Sequence, residues 1–374
     1  MATLGAVLSF VVGLAIVLAV GSSLLRTLVV PRGVRSKLSS AVLSATLAVF
    51  RSVAHRTSTY EQRDAVLAYA APVSLIVTLL TWLALLFVGF ALLLFSFSPL
   101  DIAASFREAG SSLFTLGFAS TDRAQLTLVD FLAAATGPIV VGLLIGYLPS
   151  LYASYNRREV EVALLHSRSG EPNWGPEILL RHAIVNSSDE LITLWRDWEH
   201  WAADVAESHV NYPVLIHVRS AQPMRTWLIA LLSVMDAAAL QLSLNPQLQQ
   251  GPARVALRQG FVAVRDIARA EGIAVDDDPD PDSGVSLTFD EFADAYEQLV
   301  ASGYEMARTA EQAWPHFRGW WVNYESAAYR LAERIDAVPA RWSGVRTPPL
   351  PVIAPERPTN RMPGGRTGRP EIGE

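Results

Sequence analysis

Residues 72–95 read PVSLIVTLLTWLALLFVGFALLLF and contain no charged side chain. A helix of this length crosses the roughly 30 Å hydrocarbon core of a bilayer, because each residue adds about 1.5 Å. Residues 4–25 and 128–154 are apolar runs of similar length. The sequence therefore predicts three transmembrane helices, at residues 4–25, 69–97 and 128–154. A secretory signal is the weaker alternative for the first, because its basic residues follow the apolar run instead of preceding it.

The loops between these spans differ in charge. Seven basic residues lie between the first and second spans, whereas Arg107 and Arg123 are the two between the second and third. Because cytoplasmic loops carry the excess of Lys and Arg, the amino terminus is predicted outside and the carboxyl-terminal half in the cytoplasm. Within the basic loop, residues 38–54 have apolar positions at helical spacing. This pattern predicts a helix lying flat in the headgroup layer, with a fourth span as the alternative.

The remaining composition excludes several classes of function. Residues 156–339 hold 27 acidic and 15 basic side chains, so this half lacks the basic face that nucleic-acid binding needs. The chain has no cysteine, which excludes disulfides, thiolate catalysis and cysteine-ligated metals. It lacks common catalytic and phosphate-loop motifs, so no catalytic residue is assigned and an enzyme is not expected. Lys37 is the one lysine among 30 basic residues, a bias typical of GC-rich bacterial genomes, so we expect a bacterial inner (plasma) membrane.

The segment between the second and third spans is too short and too polar to be another span. Residues 98–127 read SPLDIAASFREAGSSLFTLGFASTDRAQLT. The apolar positions predict a helix from about Ile102 to Phe114, with Asp101 as its N-cap. Such a helix, followed by the loop TLGFAS, would enter the membrane and turn back.

This order of elements resembles the pore of the two-transmembrane potassium channels. In that family a pore helix and the filter T-V-G-Y-G-D lie between an outer and an inner helix, and the resemblance covers about residues 70–157. Thr115 and Gly117 match the filter pattern. The four positions that differ are Leu116 for valine, Phe118 for tyrosine, Ala119 for the second glycine and Ser120 for aspartate.

The resemblance implies a passive pore for a monovalent cation, with potassium as the expected ion and no cofactor. Carbonyl groups of such a loop replace the hydration shell of the ion, and Thr115 hydroxyls would form the innermost oxygen ring. One loop per chain cannot close a ring, so a homotetramer is implied, with membrane lipid as the further partner. At Ala119 the family pattern favours positive φ, which costs an L-residue about 1 kcal/mol or more. We expect the outer carbonyl ring to turn away, which would weaken discrimination of potassium from sodium.

The third span carries glycine and proline residues that the resemblance places in an inner helix. Gly137 and Pro138 are candidates for a hinge, because proline removes a backbone hydrogen bond and glycine lowers the cost of bending. Pro149 is a candidate kink near the cytoplasmic mouth. Gly142 and Gly146 form a G-x-x-x-G pair, for which close helix packing is the simpler explanation.

Residues 158–339 are predicted to form a cytoplasmic α-helical bundle. Helices are expected near residues 175–185, 188–210, 223–245, 251–271, 289–302 and 304–336. Ser187 with Glu190 and Thr288 with Glu291 have the spacing of capping boxes, which predicts two of the helix starts.

Residues 227–244 are apolar enough to suggest a further span, but Asp236 lies at their centre. We therefore expect a buried bundle helix in which Asp236 pairs with an arginine, and a membrane span is the alternative. The proline- and glycine-rich residues 340–374 lack periodic apolar positions and are predicted to be disordered. The predicted divisions are a first span (1–27), a basic cytoplasmic loop (28–68), a pore domain (69–157), the helical domain (158–339) and the tail (340–374).

Three groups of residues in the helical domain resemble functional sites. His200, Asp204 and His209 have the spacing of half a metal site, but no second segment completes it, so solvated side chains and no metal are expected. The acidic residues 276–282 fail the register of a calcium loop, because a valine occupies the position that requires glycine. The aromatic cluster at 314–321 suits a ligand pocket, although bundle core or a subunit contact is the commoner role.

These patterns together predict a homotetrameric, potassium-like cation channel that is regulated by its cytoplasmic helical domain. No span carries arginine at every third position, so a voltage sensor of the familiar kind is not expected. The alternative is a membrane-anchored sensory or scaffold protein in which the pore loop does not conduct.

Overall fold

A computed structural model describes residues 2–30, 36–97, 101–119, 124–248, 250–281, 283–342, 360–361 and 367–368. The α-helices are α1 (Ala2–Leu24), α2 (Lys37–Ala54), α3 (Tyr60–Leu67), α4 (Ala70–Phe97), α5 (Ile102–Leu113), α6 (Ala124–Ser169), α7 (Gly175–Ile184), α8 (Leu191–Asn211), α9 (Trp227–Leu244), α10 (Gly251–Ala270), α11 (Phe289–Ala301), α12 (Ala310–Trp321) and α13 (Glu325–Ile335). A π-helical turn lies at Leu25–Val29, and 3-10 turns lie at Ser188–Glu190 and Pro213–His217. A short antiparallel pair, β1 (Asn360–Arg361) with β2 (Thr367–Gly368), lies near the carboxyl terminus.

Several helices are long and apolar enough to cross a membrane, as the sequence predicted. Among the described residues these segments are Leu4–Val29, Lys37–Ala54, Tyr60–Phe97, Leu126–Ser169 and Trp227–Leu244. The three predicted spans are among them. The chain is therefore a helical protein whose composition is that of a multi-pass membrane protein.

The chain divides into two compact units. The first unit contains residues 1–55 and 66–153, and the second contains residues 56–65 and 154–374. The second unit thus includes a short segment that precedes α4 as well as everything that follows residue 153. The predicted basic loop at residues 28–68 is consequently shared between the two units.

In the first unit, α1 runs antiparallel to α4 at close range. A Cβ added to Gly13 would lie 2.8 Å from the Gly89 carbonyl oxygen, and one added to Gly89 would lie 2.9 Å from Val17. Towards the carboxyl end of α1, the Trp82 indole donates a hydrogen bond to Ser23 Oγ at 3.0 Å. Small residues permit close backbone approach, which stabilises helix pairs in lipid, where apolar side chains gain little by leaving the solvent.

One face of α2 is packed against the rest of the first unit, and the opposite face is exposed. Its N-cap is Ser36, whose hydroxyl accepts the backbone N–H of Ser39 at 3.3 Å. The helix packs against α4 and buries Leu47, whereas Val49 on the other side is 62% exposed. The amphipathic pattern at residues 38–54 is therefore present as a helix, and its position in the headgroup layer stays a prediction.

α9 forms the centre of the second unit, and all of its residues are buried. Close approach of α7 and α10 depends on glycine, since a Cβ at Gly175 would lie 2.6 Å from Asp236 and one at Gly260 would lie 2.7 Å from Met235. Asp236 accepts a 2.6 Å hydrogen bond from the Tyr324 hydroxyl. The sequence analysis expected an arginine as the partner of Asp236. Burial raises the pKa of Tyr324 and the Asp236 carboxylate raises it further, so the phenol keeps the proton that it donates.

The predicted helices of the second unit are present with small differences at their ends. The helix predicted at residues 304–336 is wrong in extent, because α12 and α13 are separated by a turn at residues 322–324. The capping box that begins at Thr288 is confirmed. Ser187 makes no side-chain cap, because a 3-10 turn follows it. A capping box at Thr309, which the sequence analysis missed, begins α12.

The aromatic cluster at residues 314–321 contributes to the core of the second unit. Phe317 and Trp321 are buried, and Trp342 packs against both, with ring centroids 5.6 and 5.8 Å away. The prediction that disorder begins at residue 340 is therefore wrong, because Trp342 is only 4% exposed. The rest of the predicted tail, apart from β1 and β2, lies outside the described residues.

α3 is attached to the second unit by a buried arginine. Arg219 donates hydrogen bonds to Asp64 Oδ1 at 2.6 Å and to the Tyr60 hydroxyl at 3.0 Å. It also donates to two backbone carbonyls at the end of α13, at 2.8 and 2.9 Å. Because charge-assisted hydrogen bonds are the stronger kind, this guanidinium group fixes α3 to α13. The sequence analysis predicted neither α3 nor this contact.

Candidate functional site

α5 begins where the sequence predicts. Asp101 Oδ1 accepts the backbone N–H of Ala104 at 2.7 Å, which confirms the N-cap. The helix is 12 residues long. At about 1.5 Å per residue its length is roughly 18 Å, which is too short to cross a bilayer.

The carboxyl end of α5 closes in a Schellman motif. The Leu116 N–H donates to the Ser111 carbonyl at 2.8 Å, and the Thr115 N–H donates to the Ser112 carbonyl at 3.0 Å. Such a motif needs a left-handed residue at its turn, and Thr115 occupies that position with φ 54°. A non-glycine residue in this conformation costs on the order of 1 kcal/mol or more. Thr115, the first residue of the filter-like loop, is therefore held in a strained helix cap.

The described part of the filter-like loop is residues 115–119, and Ser120 lies outside the described residues. Gly117 has φ 69°, so it adopts the left-handed conformation that glycine permits. Leu116 and Phe118 are 62% and 55% exposed. Within a single chain the loop therefore presents apolar side chains to its surroundings.

Ala119 does not adopt the positive φ that the family pattern favours at this position. The left-handed residues in the described part of the loop are Thr115 and Gly117. The Ala119 N–H donates to Ser111 Oγ at 2.9 Å, and that hydroxyl donates to the Ala119 carbonyl at 3.0 Å. Both polar backbone groups of Ala119 thus bond to α5, which removes the predicted strain and turns its carbonyl towards the helix. The hydrogen bonds of Ser111 to the loop were not predicted from the sequence. The signal that could have indicated them is a serine one helical turn before the filter pattern.

α6 holds the carboxyl end of α5 through two contacts. A Cβ added to Gly137 would lie 2.0 Å from the Leu113 carbonyl oxygen. Nearby, the Ser112 hydroxyl donates to Asp130 Oδ1 at 2.6 Å. Gly137 therefore has a packing role that the hinge prediction did not include, because only glycine lets α6 approach the backbone of α5 so closely.

The other inner-helix candidates lie along α6. Pro138 and Pro149 are inside the helix, which continues from Ala124 to Ser169, so a hinge or kink there stays a prediction. A Cβ added at Gly142 or Gly146 would meet no described atom within 4 Å. The packing predicted for this glycine pair therefore has no partner in the part of the chain that the structure describes.

A positive charge lies next to the filter-like loop. The guanidinium carbon of Arg107 is 5.5 Å from the centroid of the Phe118 ring, in a cation–π contact. A cation held at this position raises the local potential and opposes the approach of other cations. From the sequence Arg107 contributed only to the predicted orientation, and its proximity to the loop was not predicted.

The three residues with the spacing of half a metal site have different surroundings in the second unit. Asp204 accepts two hydrogen bonds from Arg157, at 3.0 and 3.1 Å. His200 is exposed, as predicted, but the prediction of a solvated His209 is wrong, because this side chain is fully buried. Among the described residues no group of three potential ligands could hold a metal ion.

His209 belongs to a buried contact with Arg158. Burial lowers the pKa of His209 well below its ordinary value of 6.5, and the Arg158 charge lowers it further. The neutral ring lies with Nε2 3.1 Å from Arg158, which also donates to the carbonyls of Leu215 at 2.9 Å and Val218 at 2.8 Å. Arg158 thereby joins the carboxyl-terminal part of α6 to α8 and the 3-10 turn after it.

Comparisons with protein-family models, with curated proteins and with solved structures found no match for this chain. The functional evidence is therefore the geometry of α5, the filter-like loop and α6.

Proposed function

We propose that this chain is the subunit of a homotetrameric cation channel whose filter is formed by residues 115–120. In this proposal α4 is the outer helix, α5 is a re-entrant pore helix and α6 is the inner helix. The amino terminus lies outside, and the second unit is cytoplasmic. The conducted ion is a monovalent cation such as potassium, and conduction is passive.

The observation that carries the proposal is that residues 56–65 and the residues from 154 onward belong to the same compact unit. Two segments on one side of a membrane require an even number of crossings between them. α4 and α6 supply two, and α5 is too short to supply a third. This parity supports an α5 that does not cross the membrane, and its entry into the membrane from one side is part of the proposal.

The chemistry of the loop suits a path for cations. The carboxyl end of α5 carries the negative end of its helix dipole and leads directly into the loop. Gly117 supplies the left-handed backbone that lets carbonyl groups change direction. Because carbonyl oxygens must surround an ion and each chain has one loop, four chains around an axis are needed to complete the site.

Two features modify the filter. The Ala119 carbonyl already accepts a hydrogen bond from Ser111, so it offers one oxygen fewer per chain. Arg107 adds a positive charge beside Phe118. Since selectivity depends on the number and field of the oxygen ligands, we expect weaker discrimination of potassium from sodium than a complete filter provides.

Regulation by the second unit follows from how its connections are built. Arg158 fixes the carboxyl-terminal part of α6 inside that unit, and Arg219 fixes α3, which leads into α4. In this proposal the second unit therefore regulates the channel through the chain segments that continue into the inner and the outer helix.

A non-conducting sensory or scaffold protein is the second candidate function. Three features favour it. Thr115, the first residue of the loop, caps α5, and the outer carbonyl of Ala119 is bonded internally, so that the loop presents an incomplete oxygen ring. The Arg107 charge acts in the same direction. Under this alternative the second unit binds the partner, and α5 has a structural role.

Planar-bilayer recording from the purified full chain separates the two candidates. The channel proposal expects cation currents and a tetrameric mass in lipid nanodiscs. Gly117→Ala should abolish the currents through backbone strain, because within the chain its Cβ would meet no atom within 4 Å. Gly146→Ala, where a Cβ also meets no atom within 4 Å, is the matched control. A monomeric or dimeric mass, or a silent tetramer, would contradict the channel proposal.

A further inference from the structure

A groove in the first unit is lined by side chains of α1, α4 and α6. Its volume is about 630 Å³, within the range of small-molecule sites. The groove is lined by aliphatic side chains that include Val17, Leu18 and Leu86. Gly21 also lines it, and an added Cβ there would meet no atom within 4 Å. Arg26 lines the groove at the carboxyl end of α1. An apolar groove with one cationic residue at its end matches the chemistry of an amphiphile with an anionic head.

Arg26 lies deep relative to α4. Ser23, three residues earlier, bonds to Trp82, which is twelve residues beyond Ala70 at the start of α4. At about 1.5 Å per residue the level of this bond is roughly 18 Å along that helix, and Arg26, three residues nearer the start of the antiparallel α4, is at roughly 13 Å. The Arg26 side chain is exposed and forms no hydrogen bond or ion pair with the described part of the chain. Arginine near apolar membrane segments is costly unless it pairs with an anion or reaches the interface.

The sequence around Arg26 strengthens the charge argument. Arg32, Arg35 and Lys37 follow it, and no acidic residue occurs from position 25 to position 37. Each basic residue beside a transmembrane helix strengthens binding to anionic lipid by about fivefold. Arg26 also lies in a π-helical turn, a local irregularity that is frequent at functional sites.

We propose that this groove binds an anionic phospholipid, with an acyl chain along α1 and α4 and the phosphate on Arg26. A zwitterionic phospholipid is a poorer ligand for Arg26, because its own amine balances the charge of its phosphate. The site requires insertion of α1 and α4 into a bilayer and is independent of whether the chain conducts ions.

Trp82 provides a selective readout for the experiment, because it is the one tryptophan in residues 1–153. The full chain is placed in phosphatidylcholine vesicles that contain a minor fraction of dibrominated phosphatidylglycerol or, separately, dibrominated phosphatidylcholine. Bromine quenches tryptophan only at short range, and a Trp82→Phe chain supplies the background from the second unit. We expect phosphatidylglycerol to quench Trp82 more strongly at equal mole fraction. Equal quenching by the two lipids would overturn the proposal.

Three variants test separately the charge of Arg26 and the shape of the groove. Arg26→Gln should lower the preference for phosphatidylglycerol by about fivefold. Arg56→Gln, which removes an equal charge from an exposed residue of the second unit, should leave the preference unchanged. Gly21→Leu places an apolar side chain in the groove at a position where an added Cβ meets no atom within 4 Å, and it leaves the charge unchanged, so it should abolish the excess quenching. A preference that survives both Arg26→Gln and Gly21→Leu would show that the lipid binds elsewhere.

Two further outcomes identify a different occupant. The chain has no cysteine, so Leu18→Cys is a unique cross-linking site. A disulfide-linked dimer through this residue in vesicles would show that a second copy covers the groove, which contradicts the proposal. Release of the quenching by excess inorganic phosphate would show that the phosphate group alone is recognised.

Native mass spectrometry of the wild-type chain tests the proposal even if a variant fails to fold. It measures whether the chain retains phosphatidylglycerol over phosphatidylcholine.

Discussion

Gly137→Ala tests the contact on which the geometry of the proposed filter depends. The new Cβ would lie 2.0 Å from the Leu113 carbonyl oxygen, where ordinary contact begins at 3.4 Å, so one helix must shift by roughly 1.4 Å. The opposing atom belongs to the backbone and cannot rotate away. Overpacking of this kind costs about 1–3 kcal/mol, against a gain of roughly 1 kcal/mol from replacing glycine in a helix. We expect a net loss of up to about 2 kcal/mol at the α5–α6 contact.

The displacement should also reach the loop, because Thr115 follows Leu113 by two residues and is capped on the same helix end. Thermal unfolding of the full chain in nanodiscs measures the first effect, and bilayer recording measures the second. Gly142→Ala is the matched control on α6, since its Cβ would meet no atom within 4 Å. Unchanged stability and unchanged currents in Gly137→Ala, or equal losses in both variants, would refute the packing role.

Three further predictions concern the loop and the second unit. Ala119→Gly should raise the selectivity for potassium over sodium, because glycine permits a positive φ that frees the carbonyl from Ser111. Bi-ionic reversal potentials measure this selectivity, and values identical to those of wild type would contradict the prediction. Arg107→Gln should raise single-channel cation conductance at low salt, and an unchanged or lower conductance would show that its charge does not reach the ion path. The pKa of His209 is lower in the folded chain than its ordinary value of 6.5, so the unfolded chain binds more protons below that pH. Stability should therefore be complete above about pH 6.5 and fall as the pH is lowered, by up to about 1.4 kcal/mol per unit for this one proton. His209→Gln should flatten that slope in denaturant titrations at pH 5 to 7.5, and an unchanged slope would place the titrating group elsewhere.

Local pattern was sufficient for most of the long helices of this protein, although not for α3 or for the separation of α12 from α13. Apolar runs of sufficient length predicted the spans, and a single aspartate before an apolar pattern predicted the start of α5 at Asp101. The capping box at Thr288 was predicted for the same reason, since its partners are three residues apart. These features depend on the periodicity and hydrogen-bonding needs of one helix, which a short stretch of sequence contains.

The environment of the individual side chains was decided by tertiary structure. His209 is buried against Arg158, which is 51 positions away, and Asp236 meets Tyr324 at a separation of 88 positions. Ala119 escapes the predicted strain because Ser111 on a neighbouring helix turn accepts and donates its hydrogen bonds. The length and charge pattern of a helix depend on its own residues. The partner of a buried polar group depends on which distant segments fold against it. Sequence therefore predicted where this chain is helical and apolar, and tertiary packing determined which carbonyl, carboxylate and guanidinium groups remain free to act.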